Sequence, residues 1–371
     1  MRIGFDAKRA YHNNTGLGNY SRDLIKGLAD NYREDEYILF TPKHSNNPRI
    51  AFTNYFPNIS SRLPKSFLDK RFKSYWRTMN MEKDLILNKI DLFHGLSQEI
   101  PRRRNHKIKY VVTIHDLIFL RFPETYKRVD RIIYNKKFKY ASDNSDKIIA
   151  ISKQTKSDLI DFYNIDPEKI KVVYQSCHEQ FKEILPQDEG IAIREKYQLP
   201  SNYLLSVGTI EKRKNLVALL EAASNIDIPI VVIGNRTAYF QEVSQKVAQL
   251  KMKKRVIFLS NIPFKDLPGI YQGAQAFCYP SVFEGFGIPI IEALYSKIPV
   301  ITTKGGVFAE TGGANSIYVD PYNKEEFENQ INQVLSSDQS QRVKKGYDFV
   351  KKFSTENHVK EIKSIYNELL K

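Results

Sequence analysis

Short apolar runs alternate along this chain with amphipathic segments of helix length. In the first half the runs are Arg2–Asp6, Tyr37–Phe40, Asp91–His94, Tyr110–Ile114, Lys147–Ile151 and Ile170–Tyr174. In the second half they are Tyr203–Val207, Ile230–Ile233, Val256–Leu259, Ala276–Tyr279, Pro299–Thr302 and Ser316–Val319. Most are rich in Val, Ile and Tyr and lack polar alternation, which is how strands buried on both faces of a parallel sheet read. The intervening segments complete repeated βα units with right-handed crossovers. The pattern predicts an α/β fold of two Rossmann-like domains. Such sheets bind ligands beyond the carboxyl ends of their strands, so two of them facing each other would form a central cleft.

The 371 residues exceed what one ordinary core holds, in keeping with two domains. Pro186, Pro200 and the polar stretch 187–191 mark a weak zone, which places the hinge near 181–186 and the domains at 1–183 and 184–354. Beyond them Val359, Ile362, Ile365, Tyr366, Leu369 and Leu370 recur at helical spacing. No run of about 18 apolar residues is present, so no membrane-spanning helix is expected. Residues 1–5 turn polar at Asp6 and read as a first strand rather than a secretion signal. Cys177 and Cys278 are the only cysteines, which argues against a disulfide framework and suits a reducing cytoplasm.

Charge is uneven. Residues 1–185 hold 34 Lys and Arg against 22 Asp and Glu, a net +12, whereas the remainder nets +3. The excess gathers around 62–77, 102–109 and 127–139. Such patches attract anionic lipid, phosphorylated substrates or nucleic acid, or else simply solvate the surface. No nucleic-acid-binding motif accompanies them, and no nucleic-acid partner is expected. Residues 66–88 read as one long helix in which Lys70, Arg71, Lys73 and Arg77 accompany Phe67, Phe72, Tyr75 and Trp76, the mixture of an interfacial helix on an anionic membrane.

Four segments carry candidate chemistry. Gly16 and Gly18 follow the first strand and open a helix, where backbone N–H groups can approach an anion. As a dinucleotide fingerprint the segment fails, because Ser21 stands where a third glycine belongs. Val207–Asn215 (VGTIEKRKN) follows the first strand of the second domain and offers Lys212, Arg213 and Lys214, cations suited to a diphosphate. In Pro280–Glu292 (PSVFEGFGIPIIE), Glu284 and Glu292 flank a glycine-rich turn. Carboxylates accept from vicinal hydroxyls, so the pair suits a sugar and a ribose. Glu292 also lies among Ile290, Ile291, Ala293 and Leu294, where a free acid is costly. Pro289 is expected at the first helical position and Glu292 in the first turn. His115 ends a strand beside Asp116, an acid able to orient it. Glu34-Asp35-Glu36 is expected in a surface loop, and no metal-binding motif is found.

Together these motifs resemble family 4 glycosyltransferases of the GT-B fold, mannosyltransferases among them, over nearly the whole chain. EGFGIPIIEAL is the most specific element, supported by VGTIEKRKN, TIHDL, the first glycine loop, Phe93-His94-Gly95 and Ile149–Lys153. The resemblance implies a retaining enzyme that moves a hexose from GDP-mannose or a UDP-hexose, with neither metal nor cofactor. Its acceptor would be a glycan or lipid-linked oligosaccharide of the cell surface. The first domain would bind acceptor and the second the nucleotide sugar, with the last helix, about 355–371, packing back on the first. Arg213 and Lys214 would hold the diphosphate, Glu292 the ribose, and Glu284 with Gly285, Phe286 and Gly287 the sugar and phosphates. Gly16 and Gly18 would close over the phosphate, His115 would touch the donor sugar, and Asn261 and Ile262 would flank the base. Many relatives carry arginine where this chain has Thr209, which leaves the phosphate charge to Arg213 and Lys214. The rival readings are an epimerase or phosphorylase of the same fold, an oxidoreductase and a nucleic-acid-binding protein.

Overall fold

The computed structural model describes residues 1–105 and 107–371. Two compact units divide the chain, Met1–Ser176 with Ser354–Lys371, and Cys177–Phe353. The division precedes the polar zone because Phe181 is fully buried, with its ring edge-on to Phe264 and Tyr271 of the second unit.

The first unit contains strands β1 (Arg2–Asp6), β2 (Glu36–Phe40), β3 (Ile59–Arg62), β4 (Leu92–Gly95), β5 (Lys109–Ile114), β6 (Lys147–Ala150) and β7 (Ile170–Val172). They form a parallel sheet in the order β3-β2-β1-β4-β5-β6-β7. The second unit contains β8 (Leu204–Val207), β9 (Ile230–Ile233), β10 (Val256–Leu259), β11 (Ala276–Tyr279), β12 (Val300–Thr303) and β13 (Ile317–Val319). Its parallel order is β10-β9-β8-β11-β12-β13. Strand order reverses between β1 and β4 in one sheet and between β8 and β11 in the other. Loops leaving those strands diverge and open a crevice at the carboxyl edge.

Both faces of the first sheet are covered. Tyr37 and Leu39 join one apolar cluster, while Ile38 and Phe40 join another on the opposite face. The final helix, Thr355–Leu370, lays Val359, Ile362, Ile365 and Tyr366 into the first of these clusters. Strand β3, Ile-Ser-Ser-Arg, escapes the hydrophobic pattern because it sits at the sheet edge and is only half-buried.

Two expectations need correction. Asp35 is no surface acid: it is buried, accepts the terminal ammonium of Met1 at 2.9 Å and pairs with Lys363 of the final helix. Residues 66–88 do not form one helix. Helical turns at Phe67–Arg71 and Lys73–Tyr75 give way to a π-helical turn, Trp76–Asn80, before the helix Met81–Leu87. The π turn sends Trp76 into the core, where its indole N–H donates to Asp84, and buries Arg77 against Asp6 and Glu99. Arg77 is therefore not among the cations available to a membrane. Among the described residues no helix is long and apolar enough to cross one.

Lys363 and Asp35 are both buried, so removing one charge strands the other. We expect Lys363→Met to destabilise the first unit by about 3 kcal/mol, checked by urea unfolding followed through circular dichroism. An unchanged midpoint would show that the terminal ammonium alone satisfies Asp35.

Candidate functional site

The loops leaving β8 and β11 flank the reversal point of the second sheet, and the sequence places its charged motifs on them. The β8 loop continues through a short 3-10 turn, Lys212–Lys214. The β11 loop ends at Gly287, whose φ of +110° is left-handed and favours glycine. Gly287 precedes the helix Ile288–Tyr295, with Pro289 second rather than first. Glu292 is thus the fifth helical residue, one residue deeper than expected. The loops are tied together, since the Val282 N–H donates to the Arg213 carbonyl at 2.9 Å.

Glu284 is the hub. Its Oε1 takes Lys214 Nζ at 2.6 Å, Arg213 at 2.8 Å, the Tyr279 hydroxyl at 3.0 Å and the Ser281 hydroxyl at 2.5 Å. Among the described residues Oε2 accepts no hydrogen bond, so half of this carboxylate remains open to a hydroxyl donor. Burial would raise the pKa of Glu284, but Lys214 and Arg213 overcome it and hold the carboxyl down at about 2. Burial also works against the charge on Arg213, where Glu284 and Glu211 more than offset it. For Lys214 burial prevails, and its pKa is lowered despite Glu284. Lys214 further donates to the Tyr279 hydroxyl at 2.6 Å and lies 4.9 Å from the centre of that ring.

Glu292 behaves oppositely. Its one side-chain partner among the described residues is the Tyr271 hydroxyl, which donates at 2.8 Å. With no cation beside it, burial pushes its pKa up to about 7. The two motif acids thus sit in contrasting fields, one saturated with positive charge and one lacking it. Thr209 is exposed after β8, while exposed Asn261 and half-buried Ile262 follow the carboxyl end of β10.

In the first unit the helix Gly16–Asn31 starts at the glycine loop. Gly18 is required, because a Cβ there would lie 1.9 Å from the Asn13 carbonyl oxygen, whereas one on Gly16 would meet nothing within 4 Å. The Gly18 N–H is already engaged by Thr15 and the Asn13 side chain. His115 ends the region of β5 and is buried. Its Nε2 donates to the Leu96 carbonyl at 2.9 Å, so Nδ1 is the acceptor, facing Gln175 at 3.5 Å. Burial pushes the ring down to about 4, leaving it neutral at physiological pH. Asp116 does not orient it; that carboxylate accepts from the Ile118 N–H instead.

Sequence reasoning missed Tyr279, Ser281, Tyr271 and Tyr20. Tyr20 packs edge-on to His115 at 4.7 Å and bonds Thr113, which bonds His94 in turn. These tyrosines lie inside apolar runs or helices and look like core; only Tyr279, the last residue of β11, sits at a strand's carboxyl end.

Two Rossmann-like units of parallel sheet, the second with a cation–carboxylate hub where its strand order reverses, have the architecture of the GT-B fold. Residues 14–177 match glycosyltransferase family 4 and residues 191–348 match glycosyl transferases group 1. The two matches together cover most of the chain, which belongs to the glycosyltransferases that these two family models describe, its first half matching family 4. It is 28% identical to O-antigen chain mannosyltransferase B of Escherichia coli, over 96% of this chain and 97% of that one. In fold it resembles HepE of Anabaena, solved with UDP-glucose (TM-score 0.77, 17% identity, 99% of this chain and 100% of that one). It also resembles WaaG, a glycosyltransferase involved in lipopolysaccharide biosynthesis (TM-score 0.72, 16% identity, 98% and 99%).

The raised pKa of Glu292 has a definite sign. Between about 4.5 and 7 the folded protein binds more protons than the unfolded chain, so this acid costs stability increasingly as pH rises through that window. We expect Glu292→Gln, which keeps an oxygen for Tyr271, to be more stable than the parent at pH 8 by up to about 3 kcal/mol, with the gap closing below pH 5. Urea midpoints across pH check this; a gap independent of pH would rule it out.

Proposed function

We propose that this chain transfers a hexose, with retention at the anomeric carbon and without a metal, from a nucleoside diphosphate sugar to a glycan or lipid-linked acceptor in cell-surface polysaccharide assembly. GDP-mannose is the favoured donor, given the mannosyltransferase named above, and a UDP-hexose is the alternative. The single observation that carries this reading is the hub: Glu284 is saturated on one oxygen by Arg213 and Lys214 and open on the other. A diphosphate would take the cations, exchanging the partly exposed Glu211 partner of Arg213 first, while a sugar hydroxyl would donate to Oε2. Negative charge growing on the leaving diphosphate would then meet fixed donors in place of a metal ion. Gly285–Gly287 would add the start of a helix, Glu292 would bind the ribose, and Asn261 and Ile262 would flank the base.

In the first unit Gly16 and Gly18 would approach the phosphate, and His115 would serve as a neutral hydrogen-bonding group beside the donor sugar rather than as an acid. An epimerase or phosphorylase of the same fold remains the second reading; turnover onto an acceptor separates them.

The decisive measurement is calorimetry with UDP and GDP in excess EDTA. One nucleotide should bind with the chelator present, and Glu292→Ala should weaken it at least tenfold, since each charged hydrogen bond contributes about 1.5–3 kcal/mol. Binding that requires magnesium or manganese, or that ignores Glu292, would sink the assignment.

We further propose a peripheral position on the cytoplasmic membrane face. Phe67 and Phe72 are 81% and 58% exposed beside Lys70, Arg71 and Lys73. Each cation near an anionic surface contributes about 1 kcal/mol. The protein should pellet with anionic vesicles at low salt, and reversing Lys70, Arg71 and Lys73 to Glu should abolish this while sparing nucleotide binding. Identical partitioning of the two proteins would refute membrane contact.

A further inference from the structure

Three neighbouring strands of the second sheet, β10, β9 and β8, send loops from one carboxyl edge. The β8 loop carries Arg213 and Lys214, and Asn261 and Ile262 follow β10. The loop between them, Gly234-Asn235-Arg236-Thr237 after β9, carries none of the motifs above.

Its backbone is fixed on both sides. The Ile210 N–H donates to the Asn235 carbonyl at 2.9 Å, and the Thr237 hydroxyl donates to the Ile210 carbonyl at 2.6 Å. Arg236 pairs with Ile210 as one more step of the parallel ladder. Toward β10, the Gly234 N–H donates to the Leu259 carbonyl at 3.0 Å. A side chain on Gly234 would collide with the Gly208 carbonyl, so only glycine lets the loops after β8 and β9 lie this close.

The Arg236 side chain is exposed and forms no ion pair among the described residues. Its guanidinium carbon stands 4.2 Å from the centre of the Phe240 ring. Phe240 opens the helix Phe240–Gln249 and meets Phe258 of β10 edge-on, with 5.0 Å between ring centres. An exposed arginine ordinarily samples many rotamers, whereas this one is held by one face of its plane. The ring beneath it rests on β10, away from the Glu284 hub at β8 and β11. Arg236 therefore stands apart from the diphosphate's cations, and its N–H edge is free to meet a planar acceptor.

A fork of parallel N–H donors recognises two adjacent acceptors lying in one plane. Guanine presents such a pair in O6 and N7. Adenine sets an amino donor beside N7, and uracil has no second acceptor adjacent to O4.

We propose that Arg236 reads the O6 and N7 edge of guanine and so selects a guanosine diphosphate sugar over a uridine one. This deepens the transfer reading above and rests on it, because that reading puts the base beside Asn261 and Ile262, one strand away from the β9 loop.

The test is calorimetric titration of the full chain and of Arg236→Ala with GDP, UDP, ADP and 7-deaza-GDP, which has carbon in place of N7. The parent should bind GDP at least about tenfold more tightly than UDP or ADP, as a bidentate arginine–guanine pair allows. Arg236→Ala should lose about tenfold for GDP and leave UDP unchanged. The parent should bind 7-deaza-GDP more weakly than GDP, and truncating Arg236 should cost 7-deaza-GDP less than it costs GDP. Equal losses for GDP and UDP would make Arg236 a phosphate ligand and overturn the proposal. A parent that prefers UDP, or a variant that binds GDP as the parent does, overturns it too. An unchanged urea midpoint checks that the variant is folded. Nucleotide binding that persists without this pattern counts against Arg236 alone, whereas a parent that binds no nucleotide refutes the transfer reading and the role of Arg236 with it.

Discussion

One carboxylate oxygen organises the second unit. Glu284 Oε1 collects two cations and two hydroxyls from three stretches of chain: the loop after β8, the end of β11 and the loop that follows it. Neither cation would be tolerated at this depth without that acid, and the acid would not stay ionised there without them. The arrangement depends on β8 and β11 being neighbours, which the strand order guarantees although some seventy residues separate Arg213 from Glu284. Thr302 and Thr303 of β12 secure the end of β11 from the other side by donating to the carbonyls of Tyr279 and Ser281.

The contrast between Glu284 and Glu292 follows from placement alone. Both are glutamates at the edge of one sheet, yet one is held near pH 2 and the other lifted to about 7. Pairing decides the first and unpaired burial the second. A carboxyl lifted to about 7 has one phenolic donor from Tyr271 and no neighbouring cation to offset its burial.

The first unit solves a different problem, holding neutral imidazoles where water is excluded. His94, His115 and His358 are all buried, and burial pushes each well below its ordinary value. Tyr366 bonds His94 at 2.6 Å, and His358 lies 5.5 Å from the Tyr20 ring that supports His115. Both come from the final helix, so the end of the chain helps to fix residues beside the sheet of its beginning. Asp35 and Lys363 tie the same two segments at the other margin.

The sequence by itself determined the strands, the two-unit plan and the charged motifs, because strands buried on both faces must be apolar throughout and because loops at their carboxyl ends carry the residues that cannot be core. Twelve apolar runs correspond to twelve of the strands, and the exception, β3, is polar because an edge strand buries less. Arg213, Lys214, Glu284 and Glu292 were legible as a set. Their partners were not. That Glu284 neutralises Arg213 and Lys214, that Tyr271 reaches Glu292, and that Arg77 turns inward to Asp6 and Glu99 are contacts between residues far apart in the chain. Local pattern records whether a side chain is apolar or charged. Only the tertiary structure decides which opposite charge it meets, how much water is removed around the pair, and so whether a charged residue faces solvent, as the cations of the broken helix were expected to, or is buried against two carboxylates, as Arg77 is.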